Sequence, residues 1–130
     1  MSAKKVTAMS RVKEDKTREL RIEMEIVVDA YNAAERAISW YCYLEESLKF
    51  PLEARCKSKR EISPLQVGEE VEVIGMPAED ECVSEMFVRV RWRGTKLAVP
   101  LSQLEPLTSE PKTKEAMADW DYWISRGYEF

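Results

Sequence analysis

The chain has 130 residues, enough for one domain around a single core, and its 45% hydrophobic and 34% charged content is that of an ordinary globular protein. It has no histidine, and its three cysteines (Cys42, Cys56, Cys82) are too far apart for a CxxC pair; this excludes histidine-based triads, zinc knuckles and redox pairs, and fits a reducing compartment. The formal charge of −4 divides into +4 over residues 1–22 and −8 over the rest, so the body of the protein lacks the basic surplus that nucleic-acid phosphates call for.

Four glycines leave no room for a GxGxxG or GxxxxGK phosphate loop, and the DxDxDG loop of an EF-hand is absent. No apolar run approaches the ~20 residues that span a bilayer, and the N-terminal lysines precede no signal-type apolar stretch. The expectation is a cytoplasmic protein with no membrane and no nucleic-acid partner.

In chain order, residues 1–19 are polar, basic and poorly patterned, and predict a flexible or partly helical arm ahead of a single domain over 20–130. From Leu20 to Val28 the apolar residues alternate as in a strand, yet Leu20, Met24, Val27 and Tyr31 also make a helical stripe; the period does not decide. Asn32-Ala33-Ala34-Glu35 has the form of a capping box, which starts a helix over about 33–49. Its apolar face is Ala34, Ala37, Ile38, Tyr41, Leu44 and Leu48, and Pro51 ends it.

Over about 52–107 the period shortens to two: Val67, Val71 and Val73, then Val88, Val90 and Trp92, then Leu97, Val99 and Leu101 after a turn at Arg93-Gly94-Thr95. The order of short strands, with a single-turn helix in VPLSQL before a last short strand, predicts a small SH3-like antiparallel β-barrel. A closing helix over about 110–126 follows, with an N-cap hydroxyl in Thr108-Ser109, Pro111 in its first turn, and Met117, Trp120, Trp123 and Ile124 facing inward. The fold class is therefore α+β, a barrel flanked by one helix before it and one after it.

Carboxylates are the only reactive groups in surplus. Glu79, Asp80 and Glu81 fall in one loop with Glu85 just beyond, and three successive carboxylates repel one another unless a cation relieves them. Glu45 and Glu46 sit near a helix C-terminus, where the dipole already disfavours negative charge. Ca²⁺ is the matching hard cation, taking about 6–8 oxygens in flexible geometry, whereas Mg²⁺ is stricter. The same groups also fit a solvated acidic surface, and spacing alone does not choose. Glu35 is accounted for by the capping box. A glycosidase acid and base would need a cleft that so small a barrel does not offer. Arg89, Arg91 and Arg93, with Lys96 and the basic run from Arg55 to Arg60, offer a different reading: an SH3-like module binding protein or RNA through a basic stripe, with the acids serving solubility.

The segments IVVDAY (Ile26 to Tyr31), AISWYCYLEESLKFPLEARC (Ala37 to Cys56), SPLQVGEEVEVIGMPAEDEC (Ser63 to Cys82), MFVRVRWRGTKLAVPLSQLEP (Met86 to Pro106) and DWDYWISRGYEF (Asp119 to Phe130) resemble the cyanobacterial calcium-binding family called CcbP. The resemblance covers roughly residues 20–130. It implies a small acidic, non-catalytic protein that binds Ca²⁺ through surface carboxylates, becomes more compact on binding, and lowers free cytosolic Ca²⁺ in a signalling role tied to cell differentiation. On matching positions it makes Glu45, Glu46, Glu79, Asp80 and Glu81 the foremost ligand candidates, with Asp29, Glu35 and Glu85 behind them. Asn32-Ala33-Ala34 stands where the family resemblance leads one to expect more acid, and Asp121 where it leads one to expect histidine.

Overall fold

The computed structural model describes residues 13–127, which form three α-helices and one five-stranded antiparallel sheet. Helix α1 (Lys16–Arg21) starts where the Asp15 carboxylate accepts the Arg18 amide at 3.0 Å, a side-chain N-cap. It runs directly into a π-helical turn, Ile22–Ile26, closed by the Val27 amide donating to the Ile22 carbonyl at 3.0 Å. The doubly periodic stretch is thus helical. Its buried face is Ile22 and Ile26, while Leu20 and Met24 of the expected stripe stay more than half exposed. Of the arm expected over 1–19, residues 1–12 lie outside the described residues, and Lys16 to Glu19 belong to α1.

Helix α2 (Ala33–Ser47) has the expected start: Asn32 Oδ1 accepts the Glu35 amide at 2.9 Å, and Glu35 Oε1 reaches back to the Tyr31 amide at 2.7 Å. Its buried face is rotated from the expected one. Ala34 and Ile38 are exposed, and Trp40, outside the expected stripe, is fully buried. The rotation follows from the aromatic packing on α3 (Pro111–Ser125), since Trp40 meets Trp120 edge to face at 5.0 Å and Trp123 at 5.6 Å.

The strands are β1 (Leu52–Cys56), β2 (Glu70–Gly75), β3 (Phe87–Trp92), β4 (Thr95–Pro100) and β5 (Leu104–Pro106), hydrogen-bonded in the order β4-β3-β2-β1-β5. Alternate residues Val71, Val73, Val88, Val90 and Val99 point into the core, whereas Val67 of the expected set lies in the turn before β2 and is exposed. The β3–β4 hairpin turns on Arg93 and Gly94, both at positive φ (51° and 81°), the backbone that a two-residue hairpin of the favoured hand requires. The expected single-turn helix before the last strand is the 3₁₀ turn Leu101–Gln103. The closed barrel is not formed: β4 and β5 are the two ends of a linear order and do not pair with each other, so the sheet is open. The cap of α3 also differs from expectation, being the Glu110 carboxylate, which accepts the Thr113 amide at 2.7 Å, rather than a hydroxyl.

One buried charge joins the helices. Asp119 of α3 has no exposed side-chain surface, and its carboxylate accepts hydrogen bonds from Arg18 and Arg21 of α1 and from the Tyr43 hydroxyl of α2. These are charge-assisted bonds in a site shielded from water, so each is stronger than a neutral one. The Asp119 hydrogen bond outweighs desolvation and holds the Arg21 guanidinium firmly charged, while burial first and Asp119 second push the Tyr43 phenol well up. Tyr122 extends the seam, accepting the Asp15 amide and donating to Glu19, each at 2.8 Å. No helix among the described residues is long and apolar enough to cross a membrane.

Replacing Asp119 by Ala strands two guanidinium groups and a phenol, and is expected to cost about 3 kcal/mol in urea unfolding, the low end for a broken buried pair because both arginines are about a quarter exposed and can rehydrate. A loss under ~0.5 kcal/mol would show that the seam contributes little. The Glu110 carboxylate is held below the usual range, chiefly by its hydrogen bonds with Thr113. Its share of stability is therefore present above the unfolded-state pKa and is lost as pH falls through the lower folded value. Comparing melting temperatures of wild type and Glu110→Gln should show a gap near neutral pH that closes in acid.

Candidate metal centre

The acidic loop is pinned at both ends. Before it, the Pro77 carbonyl accepts the Tyr41 hydroxyl of α2 at 2.5 Å; after it, buried Cys82 accepts the Phe87 amide on its sulfur at 3.3 Å, at the start of β3. Between these anchors Glu79–Glu81 form a 3₁₀ turn, closed by the Glu81 amide on Ala78 at 2.9 Å and the Cys82 amide on Glu79 at 3.0 Å. Three residues per turn spread three successive side chains around the axis. All three carboxylates are exposed.

Glu45 and Glu46 project from the last turns of α2 and are also exposed. The charges of Glu45 and Glu79 both act on two residues of α2, Tyr41 and Cys42. The Tyr41 phenol is pushed up by burial, then by the charges of Glu45 and, more weakly, Glu79; the Cys42 thiol is pushed up by desolvation, then by Glu79, Glu45 and Glu46. Tyr41, expected only as part of the apolar face, and Cys42 thus both lie within the influence of these acids. Their place one turn before Glu45 and Glu46 on α2 was the available signal. Glu46 also lines a second groove, with Arg21, Glu25, Tyr43, Lys112 and Glu115.

The remaining candidates are engaged elsewhere. Glu85 is held by Arg60 through two bonds of 2.7 and 3.1 Å, and Arg60 also donates to Ser102. Glu35 caps α2. Asp29 stands at positive φ (63°) in the link before α2, where its carboxylate accepts the Tyr31 hydroxyl at 3.3 Å. Several basic residues of the alternative reading are engaged within the fold: Arg91 donates to Glu72 at 3.0 Å, Arg93 lies 4.5 Å over the Trp92 ring, Arg55 pairs with Glu70 and Glu105, and Lys57 pairs with Asp121, whereas Arg89 and Lys96 are exposed with no ion pair among the described residues.

Glu45, Glu46, Glu79, Asp80 and Glu81 have no cationic partner among the described residues, in contrast to Glu72, Glu85, Glu105 and Asp119. Their chemistry, exposed carboxylate oxygens with no nitrogen or sulfur donor required, fits a hard cation. Among the described residues no three acidic or cysteine side chains are gathered closely enough to enclose a metal ion. The donors fit Ca²⁺, then, and an enclosing cage is not preformed.

A family model described as Calci_bind_CcbP, calcium binding, matches residues 20–124. A crystal structure of Anabaena CcbP superposes with a TM-score of 0.81 at 43% identity, covering 92% of this chain and 98% of that one. A structure described as a calcium binding protein in the calcium-binding form does so with a TM-score of 0.78 at 43% identity, covering 90% and 96%. No curated protein matches the chain.

Cys42 is the one exposed cysteine, with Cys56 and Cys82 buried, so its alkylation reports the local field. Removing a neighbouring negative charge lowers its pKa and raises the thiolate fraction. Glu79→Gln and Glu45→Gln should each speed iodoacetamide labelling of Cys42 severalfold at about pH 8, and Glu85→Gln should leave the rate unchanged.

Proposed function

The chain belongs to the CcbP family of calcium-binding proteins, and from that premise we propose that its Ca²⁺ is taken by the Glu79–Glu81 turn together with Glu45, with Glu46 as an outer contributor. The observation that carries this assignment is the density of carboxylates without cationic partners where that turn is tied to α2. Asp29, Glu35 and Glu85 are not assigned to the site, because each already has a partner within the fold.

The mechanism is electrostatic. A divalent ion relieves the repulsion among the turn's carboxylates and between Glu79 and Glu45, and draws the turn toward α2, so the bound form is more compact. Water completes the coordination, since three side chains spread around a 3₁₀ axis do not converge on one point. Without a rigid cage, affinity falls in the micromolar to millimolar range of calcium sites. Binding only the folded form stabilises it by RT ln(1 + [L]/Kd), about 2.7 kcal/mol at a hundredfold excess over Kd. Such a protein acts as a non-catalytic buffer of free calcium in the cytoplasm; its connection to calcium signalling in differentiation rests on the family resemblance. The open sheet is read as SH3-like in topology, β1 to β4 running as a meander and β5 returning beside β1 after a 3₁₀ turn.

Calorimetric titration at physiological salt tests the assignment. Ca²⁺ should give saturable heat and raise the melting temperature, and Mg²⁺ should do so weakly. The combined variant Glu79→Gln/Asp80→Asn/Glu81→Gln should lose at least about tenfold in affinity, or ~1.4 kcal/mol. Glu85→Gln should keep Ca²⁺ affinity and lower stability through the stranded Arg60. Unchanged Ca²⁺ binding by the combined variant would place the ion elsewhere.

A further inference from the structure

The rotation of α2 leaves an apolar stripe outside the core. Ala34 and Ile38 lie one turn apart on its exposed side, and Ala78 and Val83 from the acidic loop face them across a groove of about 680 Å³. Ile38 is 46% and Val83 64% exposed, so the groove is lined by side chains that hydrophobic burial would favour covering. Its volume is in the ~300–1,000 Å³ range of sites that seat a ligand or a bulky side chain, and its walls are mostly apolar with few polar groups, as such sites are. The small side chains Ala34 and Ala78 allow a partner's backbone to come close.

The polar groups at this groove are all of one sign. Glu79 and Asp80 line it, and no cation among the described residues pairs with them. An apolar cleft bordered by unpaired carboxylates is complementary to an apolar side chain flanked by Lys or Arg. We propose that the groove between α2 and the 78–83 loop docks a basic amphipathic peptide segment of a partner protein, its apolar face against Ile38 and Val83 and its cationic residues on Glu79 and Asp80.

Because the same two carboxylates serve the calcium site, peptide and Ca²⁺ compete. This coupling rests on the calcium assignment above; the groove itself does not. Ca²⁺ bound at the turn cancels the charge that the peptide's cations need, so the apo form binds the peptide and Ca²⁺ releases it. Linkage makes the effect reciprocal: the peptide weakens Ca²⁺ by the same factor.

Fluorescence anisotropy with a labelled Leu/Lys amphipathic peptide tests this on the full chain at physiological salt, with Ser/Lys and Leu/Glu peptides as controls. The Leu/Lys peptide should bind saturably without calcium, and the controls should not. Ile38→Asp and Val83→Asp, both at exposed positions and checked by circular dichroism, should each weaken binding about tenfold or more, and saturating Ca²⁺ should weaken it at least fivefold. No saturable binding, or binding that ignores both substitutions, overturns the docking site. Binding that appears only in Lys4→Glu/Lys5→Glu/Arg11→Glu makes the chain's own N-terminal segment the occupant, and self-association abolished by Ile38→Asp makes it a second copy; either overturns the proposal. If calorimetry shows Ca²⁺ bound and the peptide unaffected by it, the competition is overturned while the calcium assignment stands. If Ca²⁺ does not bind at all, the calcium assignment falls, and the two substitutions still decide the groove.

Discussion

The carboxylate of Asp119 is the contact on which the helical half of this protein depends. It is wholly buried, and it is acceptable there because two guanidinium groups from α1 and one phenol from α2 surround it. Through it, three segments distant in sequence are fixed against one another, and the edge-to-face contact of Trp40 with Trp120 joins two of the same helices. Helix α2 thereby becomes a rigid bar with a role on each side. Tyr43 faces the buried seam, and Tyr41, two residues earlier, holds the Pro77 carbonyl and so the start of the acidic turn. The position of the candidate calcium ligands thus derives from packing on the opposite side of the same helix.

Charge is partitioned along the same lines. Two of the positive charges near the N-terminus, Arg18 and Arg21, neutralise the buried Asp119, and Arg55, Lys57, Arg60 and Arg91 of the sheet and its loops are matched by Glu70, Glu72, Glu85, Glu105 and Asp121. The acidic excess that remains includes the Glu79–Glu81 turn and the end of α2. Surface ion pairs such as these contribute little stability each, but together they decide where negative potential is left uncancelled. That residue of charge gives a divalent cation its attraction, and the exposed apolar stripe beside it gives a second kind of ligand its place.

Much of this was legible in the residues. Asn32 and Glu35 announce α2 because capping is local chemistry, and the valine alternation announces β2 to β4 because a half-buried strand has a period of two. Closure of the barrel was not legible, since whether β4 meets β5 depends on three-dimensional curvature rather than on any local pattern. The stretch from Leu20 to Val28 carried two periods, and the π-helical turn that resolves it buries Ile22 and Ile26, a choice made by contact with the rest of the core. Trp40 was missed, and Ala34 and Ile38 were placed inside, for the same reason: a helix with apolar residues on several sides is oriented by its partners. At the candidate site, the carboxylates were evident from their clustering. What sequence could not supply was the Arg60 contact that engages Glu85, or the Tyr41 bond to Pro77 that ties the acidic turn to α2, both of which arise across long separations.

On the proposed reading, a calcium ion is held where the acidic turn meets α2. Amide chemical-shift mapping during a Ca²⁺ titration of the uniformly ¹⁵N-labelled protein tests it most directly. The largest saturable changes should fall in residues 77–83 and 41–46, with the amides around Asp119 nearly still. Changes concentrated around Asp29, Glu25 or Glu115, with the 79–81 turn and residues 41–46 unmoved, would rule it out.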